Sequence, residues 1–221
     1  MSHRIYHPPR IGNQTPQEIF QESYGSNFTF IRKRYPSGVT TTSNIAIFAD
    51  GACTDNGKPS ARAGMGVYFG PGSRYNFHQA LNRGRPTNQR AEIRAAMLAL
   101  HKVRELIENG ELRGDTKTVV LVLDSAYVVN AMTDWVTKWK GNGWRDVNGR
   151  VVANKGDFQE LDTLIDELES DDRVYVKLWH VDRTHNTGAD QEARKAIGWS
   201  YGGSSQHVLT MYCNSDSDSD Y

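Results

Sequence analysis

Between residues 44 and 198 the hydrophobic residues form short blocks of two kinds, separated by polar or glycine-containing turns. Blocks of the first kind are apolar runs typical of strands, and they cover residues 44–52, 62–70, 74–81, 118–124 and 173–181. A Gly70-Pro71-Gly72 turn joins the second run to the third. This arrangement predicts an antiparallel meander for those two strands.

Blocks of the second kind repeat hydrophobic residues at three- and four-residue steps, as amphipathic helices do. The longest runs from Gln89 to about Glu108, a second begins at Ser125, and two more cover residues 157–169 and 186–198. Strands come first in a meander and then alternate with helices. This order predicts an α/β fold in which a central mixed five-stranded sheet is flanked by helices on both faces.

The two ends of the chain do not share this pattern. Residues 1–43 are polar, contain four of the seven prolines and show no sustained periodicity. We expect them to form a flexible N-terminal arm, with a short amphipathic piece near Ile19. Residues 201–221 are rich in Gly and Ser and then alternate Ser with Asp, so they bury too little apolar surface to offset the entropy of ordering. We expect a disordered tail there and one folded domain over residues 44–200.

Composition limits the location and the mode of binding. The 26 basic and 26 acidic residues give a formal net charge of zero, which excludes nucleic-acid binding by bulk positive charge alone. Cys53 and Cys213 lie far apart and are typical of reduced intracellular thiols. No apolar run is long enough to span a bilayer or to form a secretory signal. We expect an intracellular protein of the nucleus or cytoplasm that does not bind membranes; Arg4 and Arg10 leave a mitochondrial location open.

Four acidic residues occupy positions where a carboxylate is costly to bury. Asp50 and Asp124 each end a hydrophobic strand, Glu92 lies in the first turns of the long helix, and Asp190 lies at the start of the last helix. Any one of them could be a helix cap or an ion-pair partner. If two neighbouring parallel strands both end in Asp, however, the carboxylates converge and repel each other unless cations lie between them. Hard divalent cations prefer oxygen ligands, and no Cys/His pair has zinc spacing.

Six sequence blocks, in this order, resemble the type 1 ribonuclease H family, of the cellular ribonuclease H1 kind, from about residue 45 to residue 197. They are Phe48-Ala-Asp50-Gly-Ala-Cys, Gly84-Arg-Pro-Thr-Asn-Gln-Arg-Ala-Glu92-Ile, Leu123-Asp124-Ser-Ala-Tyr, Trp139-Lys-Gly-Asn-Gly-Trp144, Asn154-Lys-Gly-Asp-Phe and Gly188-Ala-Asp190. The resemblance implies a ribonuclease H-like fold and a catalytic domain at residues 44–200. It also implies that Asp50, Glu92, Asp124 and Asp190 are the metal-binding, catalytic carboxylates.

The activity that this resemblance implies is endonucleolytic hydrolysis of the RNA strand of RNA–DNA hybrids, giving 5′-phosphate and 3′-hydroxyl ends. Two Mg²⁺ ions are the implied cofactors, with Mn²⁺ as a substitute. Two metal ions about 4 Å apart can stabilise both the attacking and the leaving oxygen of a phosphoryl displacement. The implied partner is the hybrid itself, and we expect a monomer.

A loop histidine before the last carboxylate is common in this family and is thought to help proton transfer or product release. Counting back from Asp190 alone nominates His180, but Trp179-His180-Val181 has the pattern of a strand end. We therefore expect His185 to take the catalytic loop role. The alternatives are a solvated loop residue for His185 and an ordinary strand residue for His180.

The resemblance also implies three groups of residues that contact the nucleic acid. Arg85, Thr87 and Asn154 match a phosphate pocket for the DNA strand, where a guanidinium and neutral donors hold one phosphate. Asn56, Asn88 and Gln89 match minor-groove contacts, where the 2′-hydroxyl distinguishes RNA from DNA. Trp135 and Trp139, in the Trp/Lys-rich segment of residues 135–149, match the path of the DNA strand, and Tyr127 is a further expected nucleic-acid contact. Each residue could instead be an ordinary turn, cap or packing residue.

Three rival interpretations remain open at this stage. A catalytically inactive hybrid-binding module has no need for four clustered acids beside phosphates. The nuclease domain of a retroelement polyprotein would carry a polymerase as well, unless the chain is a fragment. A structural or signalling protein is suggested only by the Ser/Asp-rich tail. Cleavage of hybrid, duplex RNA and single strands, with and without a chelator, distinguishes these interpretations.

Overall fold

The computed structural model describes residues 3–8, 19–22, 26–31, 33–34, 40–41, 44–112, 116–172 and 174–198. Its strands are β1 (Phe20–Glu22), β2 (Thr29–Ile31), β3 (Lys33–Arg34), β4 (Thr40–Thr41), β5 (Asn44–Thr54), β6 (Arg62–Tyr68), β7 (Phe77–Ala80), β8 (Thr118–Leu123) and β9 (Tyr175–His180). Its helices are α1 (Asn88–Glu108), α2 (Ala126–Asn130), α3 (Val136–Gly141), α4 (Lys155–Ser170) and α5 (Thr187–Lys195). A π-helical turn at Ala131–Trp135 joins α2 to α3.

The central sheet is mixed, as the sequence predicts. Strand β5 runs parallel to β8, and β8 runs parallel to β9, whereas β6 and β7 continue from β5 as an antiparallel meander. The five predicted strands are all present. The described sheet has seven strands rather than five, because β2 pairs with the first residues of β5 and β1 pairs with β2.

Hydrophobic residues fill both faces of this sheet. Strand β5 alternates between them: Ile45 and Ile47 belong to the larger cluster with α1, α2 and α4, whereas Ala46 and Phe48 belong to the smaller cluster with Ala189 of α5. Because both faces are covered, the first eight residues of β5 are all buried. This confirms the α/β fold with helices on both faces.

The N-terminal segment contributes more structure than the expected flexible arm. Besides β1 and β2, Ile5 forms a parallel bridge with Leu178 on the outer edge of β9, and Arg4 and Tyr6 hydrogen-bond the Leu178 backbone. The Arg4 side chain is 4% exposed and forms ion pairs with α4. The sequence misses these elements because each is only a few residues long. The expected tail at residues 201–221 lies outside the described residues.

Among the described residues, no helix combines the length and apolar character needed to cross a membrane. The longest, α1, begins at Thr87, whose side-chain oxygen accepts a hydrogen bond from the Arg90 backbone N–H, and ends at Asn109. Its buried side chains from Ile93 onward belong to the larger cluster, and Glu92 lies in its first turns.

Candidate active site

Two strand ends and one helix bring three carboxylates together. The parallel ladder between β5 and β8 ends with the pair Phe48 and Val122, and both Asp50 and Asp124 lie two residues beyond it. Helix α1 crosses this point very closely: a Cβ on Gly51 would lie 2.3 Å from the backbone nitrogen of Glu92. Only glycine allows this approach, which places Glu92 beside the two aspartates.

The geometry of the three acids suits a cation. One ligand oxygen from each of Asp50, Glu92 and Asp124 lies within 4.8 Å of the others. Asp50 is 2% exposed, and its Oδ2 atom is buried without a hydrogen-bond partner, as is Oε2 of Glu92. Buried carboxylate oxygens without donors are costly, and a hard divalent cation satisfies them directly. These residues therefore fit a divalent metal site.

The electrostatics of the cluster agree with that interpretation. Burial, followed by the nearby Glu92 and Asp124 charges, raises the pKa of Asp50 from 3.8 to about 9. Burial and the Asp124 charge raise the pKa of Glu92 to about 7, an effect that a hydrogen bond from the Gly51 backbone partly offsets. In the metal-free protein near neutral pH, the site thus holds protons where a bound cation would replace them.

The fourth predicted acid lies next to this cluster but has different partners. Asp190 Oδ1 accepts a hydrogen bond from Arg183 Nη2 at 2.8 Å, and its Oδ2 accepts one from Arg194 Nε at 2.7 Å. Burial acts to raise the pKa of Asp190, but these arginines lower it overall. The Arg183 charge also partly offsets the rise in the pKa of Asp50. Arg183 is therefore a cation at the site that the sequence interpretation missed.

Asn186 is a second missed residue. It is 1% exposed, and its Nδ2 donates to Oδ1 of Asp124 at 2.8 Å and to the backbone oxygen of Ala49 at 3.0 Å. Its amide joins the loop before α5 to the ends of β5 and β8, so it fixes the orientation of the Asp124 carboxylate. The only sequence signal is an Asn four residues before Asp190, which has no periodicity to mark it.

The family model for RNase H matches residues 42–198, which cover all of this geometry. The chain belongs to the RNase H family. Among curated relatives, Ribonuclease H1 of Rattus norvegicus is 42% identical over 126 residues, 57% of this chain and 41% of that protein. Ribonuclease H of Nitrobacter hamburgensis is 32% identical over 156 residues, 70% of this chain and 91% of that protein. The chain thus spans about two fifths of the length of the mammalian relative.

Solved structures agree with an RNase H fold. LC9-RNase H1, described as a type 1 RNase H with the type 2 active-site motif, superposes with a TM-score of 0.51 at 25% identity and covers 70% of this chain and 72% of its own. A foamy viral protease-reverse transcriptase in complex with RNA/DNA hybrid superposes with a TM-score of 0.52 at 20% identity, over 69% of this chain and 20% of that one. The latter similarity shows the fold alone.

In the loop before α5 of this RNase H chain, His185 and Arg183 have different surroundings. Residues Arg183–His185 form a single 3-10 turn. His185 lines a hollow of about 480 Å³ together with Phe48 and Tyr68, whereas Arg183 bonds to Asp190. His180 is the exposed last residue of β9. A catalytic role for His185 stays a prediction.

The predicted minor-groove residues lie at the start of α1, directly beside the acids. Oδ1 of Asn56 accepts a hydrogen bond from the Asn88 backbone N–H at 3.3 Å, and Asn88 Nδ2 lies 3.5 Å from Glu92 Oε1. Asn56, Asn88 and Gln89 are all exposed. The structure therefore brings this group together next to the cluster, on an accessible surface.

The predicted DNA-path aromatics divide into accessible and buried residues. Trp139 is 9% exposed and lies between Trp144 and Phe158 at ring-centroid distances of 5.8 and 5.4 Å, so it packs in the core. Trp135 and Tyr127 are partly exposed, with ring centroids 6.1 Å apart. Packing is the alternative that the sequence left open, and it describes Trp139 better than a surface contact does.

Proposed function

We propose that this chain is an endonuclease that hydrolyses the RNA strand of RNA–DNA hybrids, giving 5′-phosphate and 3′-hydroxyl ends. The observation that carries the proposal is the set of three carboxylates within 4.8 Å, two of which have buried oxygens without partners, in a member of the RNase H family. A module that only binds hybrids gains nothing from acids that repel phosphate. Divalent-metal catalysis explains why they are clustered.

Mg²⁺ is the proposed metal, as two ions, with Mn²⁺ as a substitute. Asp50, Glu92 and Asp124 would hold it, joined by Asp190 on the adjacent helix. Metal bound there would activate a water and would neutralise the charge that develops on the leaving 3′-oxygen. All the donors are carboxylate oxygens, which is the ligand chemistry that Mg²⁺ and Mn²⁺ share.

The residues of the protein prepare this site in three ways. Asn186 holds the Asp124 carboxylate through its Nδ2 group, so the ligand orientation is fixed before substrate arrives. Arg183 and Arg194 keep Asp190 ionised by hydrogen bonding to both of its oxygens. His185, which directly precedes Asn186 in the chain, is the proposed proton-transfer residue of the loop.

Substrate recognition is proposed to combine a phosphate pocket with minor-groove contacts. Arg85, Thr87 and Asn154 hold a phosphate of the DNA strand, and the group formed by Asn56, Asn88 and Gln89 reads the RNA minor groove. The DNA path continues past Tyr127 and Trp135. The buried Trp139 packs against Trp135, with their ring centroids 5.8 Å apart. Phosphate and sugar contacts carry no base information, so binding should tolerate any sequence.

Cleavage of end-labelled hybrid, duplex RNA, duplex DNA and single-stranded RNA tests the proposal. We expect only the hybrid to be cut, with Mg²⁺ or Mn²⁺ and not with a chelator. Asp124→Asn should abolish cleavage and retain hybrid binding, whereas Asp171→Asn, an exposed acid at the end of α4, should cleave normally. Hybrid binding without cleavage by the wild-type chain would instead identify a binding module.

A monomeric state and an intracellular location belong to the same proposal. Light scattering at micromolar concentration, with and without hybrid, checks the first. A fluorescent fusion of the full chain checks the second and distinguishes the nucleus and cytoplasm from the mitochondrion.

A further inference from the structure

Arg90, which the mechanism does not use, bonds two separate segments with one guanidinium. Its Nη1 donates to the backbone oxygens of Arg83 at 3.1 Å and Arg85 at 3.2 Å. Its Nε donates to Asp157 Oδ2 at 2.8 Å. Asp157 lies in the first turn of α4 and is 6% exposed. One side chain therefore links the loop before α1 to the beginning of α4.

The backbone of the loop before α1 passes very close to this guanidinium. Gly84 has φ +66°, and a Cβ at that position would lie 2.1 Å from Nη1 of Arg90. Any other residue would therefore be strained in its backbone and would collide with the guanidinium. The backbone N–H of Arg90 also donates to Thr87 Oγ1 at 3.2 Å, which leaves the Thr87 hydroxyl hydrogen available to an outside acceptor.

The segment at the start of α4 is held by its own backbone contacts. Asn154, three residues before Asp157, has left-handed backbone angles (φ 59°, ψ 30°), and its backbone oxygen accepts a hydrogen bond from the N–H of Phe158. The Tyr127 hydroxyl donates to the backbone oxygen of Ala153, the residue before Asn154, at 3.4 Å. Because Asn154 and Asp157 share one helical turn, an anchor on Asp157 also fixes where Asn154 lies.

We propose that Arg90 is a positioning residue that, through Asp157, sets the separation between Arg85 and Thr87 on one side and Asn154 on the other. This inference rests on the proposed function, in which those three residues receive one phosphate of the DNA strand. Arg90 does not hold the phosphate itself, because its donors are directed at two backbone oxygens and a buried carboxylate. Because one guanidinium bonds both the loop before α1 and the start of α4, moving either segment would break some of its hydrogen bonds. The distance between the two halves of the pocket is therefore held constant.

The chain offers a matched control in Arg94, one turn further along α1. Arg94 Nε donates to the other oxygen of Asp157 at 2.7 Å, and its Nη1 pairs with Glu160 at 3.0 Å. It thus shares the Asp157 anchor and the helix α4, but none of its contacts in the described part of the chain reaches the loop of residues 83–87. Replacing Arg94 removes an ion pair with the same Asp157 carboxylate without releasing the pocket.

The experiment measures hybrid affinity by fluorescence anisotropy in a chelating buffer over a series of salt concentrations, with steady-state kinetics in Mg²⁺. Arg90→Gln should weaken binding about tenfold and lower the slope of log Kd against log salt by about 0.9, the value of one lost phosphate contact. KM should rise more than kcat falls. Arg94→Gln should keep the wild-type affinity within about twofold, with an unchanged salt slope.

Arg90→Lys covers the case in which the glutamine variant does not fold. Lysine keeps the charge near Asp157 but cannot bond two carbonyls and a carboxylate at once, so it should also lose salt slope, with a smaller rise in Kd. Wild-type affinity and slope in Arg90→Lys, or equal behaviour of the Arg90 and Arg94 glutamine variants, would overturn the inference alone. A wild-type chain that does not bind hybrid at any salt concentration would overturn both this inference and the proposed function.

Discussion

Replacing Asp50 with asparagine should stabilise the metal-free protein near neutral pH, although it removes a residue of the proposed active site. Burial and the neighbouring acids raise the pKa of Asp50 from 3.8 to about 9, so the folded protein keeps a proton there that the unfolded chain releases above pH 3.8. Stability therefore falls as the pH rises through this window. Asparagine is neutral in both states and removes that dependence.

The size of the effect follows from the pKa. Between the ordinary value of 3.8 and pH 7 lie about three pKa units, each worth about 1.4 kcal/mol. Asp50→Asn should therefore raise the unfolding free energy in chelator by up to about 4 kcal/mol at pH 7, and by almost nothing at pH 4. In a domain of this size such a change raises Tm by about 10 °C.

Urea unfolding followed by circular dichroism in a chelating buffer, from pH 4 to pH 8, measures this difference. Asp146→Asn is a control with the opposite sign, because backbone N–H groups of Arg150 and Asn148 lower the pKa of Asp146. Adding Mg²⁺ should stabilise the wild type and not Asp50→Asn. The electrostatic reasoning fails if Asp50→Asn is no more stable than the wild type at pH 7, or if its advantage does not grow with pH.

Three further predictions follow from the same contacts. Metal binding near pH 7 should release at least about one proton from the carboxylate cluster. Calorimetry in two buffers of different ionisation enthalpy measures this release, and an equal heat in both buffers would contradict it. Arg183→Ala should bind Mn²⁺ several-fold more tightly by electron paramagnetic resonance titration, because the guanidinium no longer competes for Asp190; unchanged or weaker binding would refute it. Arg4→Ala should lower the unfolding free energy in urea by about 3 kcal/mol without changing kcat, because Lys140 is then the one described cation that still pairs with the buried Asp162. A loss under about 1 kcal/mol would show that Lys140 suffices.

Much of the fold and the acid cluster could be predicted because they depend on local pattern. The apolar runs that end in Asp50 and Asp124 are long enough to identify as strands, and parallel strands necessarily bring their ends to one edge. Periodicity predicts helix α1 around Glu92, and the resemblance to the ribonuclease H family implies that this acid joins the two aspartates. For these acids, the strand or helix that carries the side chain can be recognised from the sequence.

The remaining features depend on contacts between distant segments and leave no local pattern. Arg183 and Asn186 lie in the short connection between β9 and α5. Arg183 reaches Asp190 only because α5 begins directly after this connection, and Asn186 reaches Ala49 and Asp124 only because the connection packs against the ends of β5 and β8. Strands β1 and β2 are three residues each, so their order comes from pairing with the sheet rather than from propensity. The sequence around Trp139 does not distinguish a tryptophan that packs in the core from one that contacts nucleic acid at the surface.

The bridge between Ile5 and Leu178 has a consequence for how copies of this protein behave together. An outermost strand with open amide and carbonyl groups is a template for pairing with another chain, and this can lead to aggregation. Here the backbone around Arg4 and Tyr6 occupies those groups on β9. Removing the first eight residues with a protease would uncover these groups, and the charge of Lys177 at the middle of β9 would then oppose pairing with a second copy.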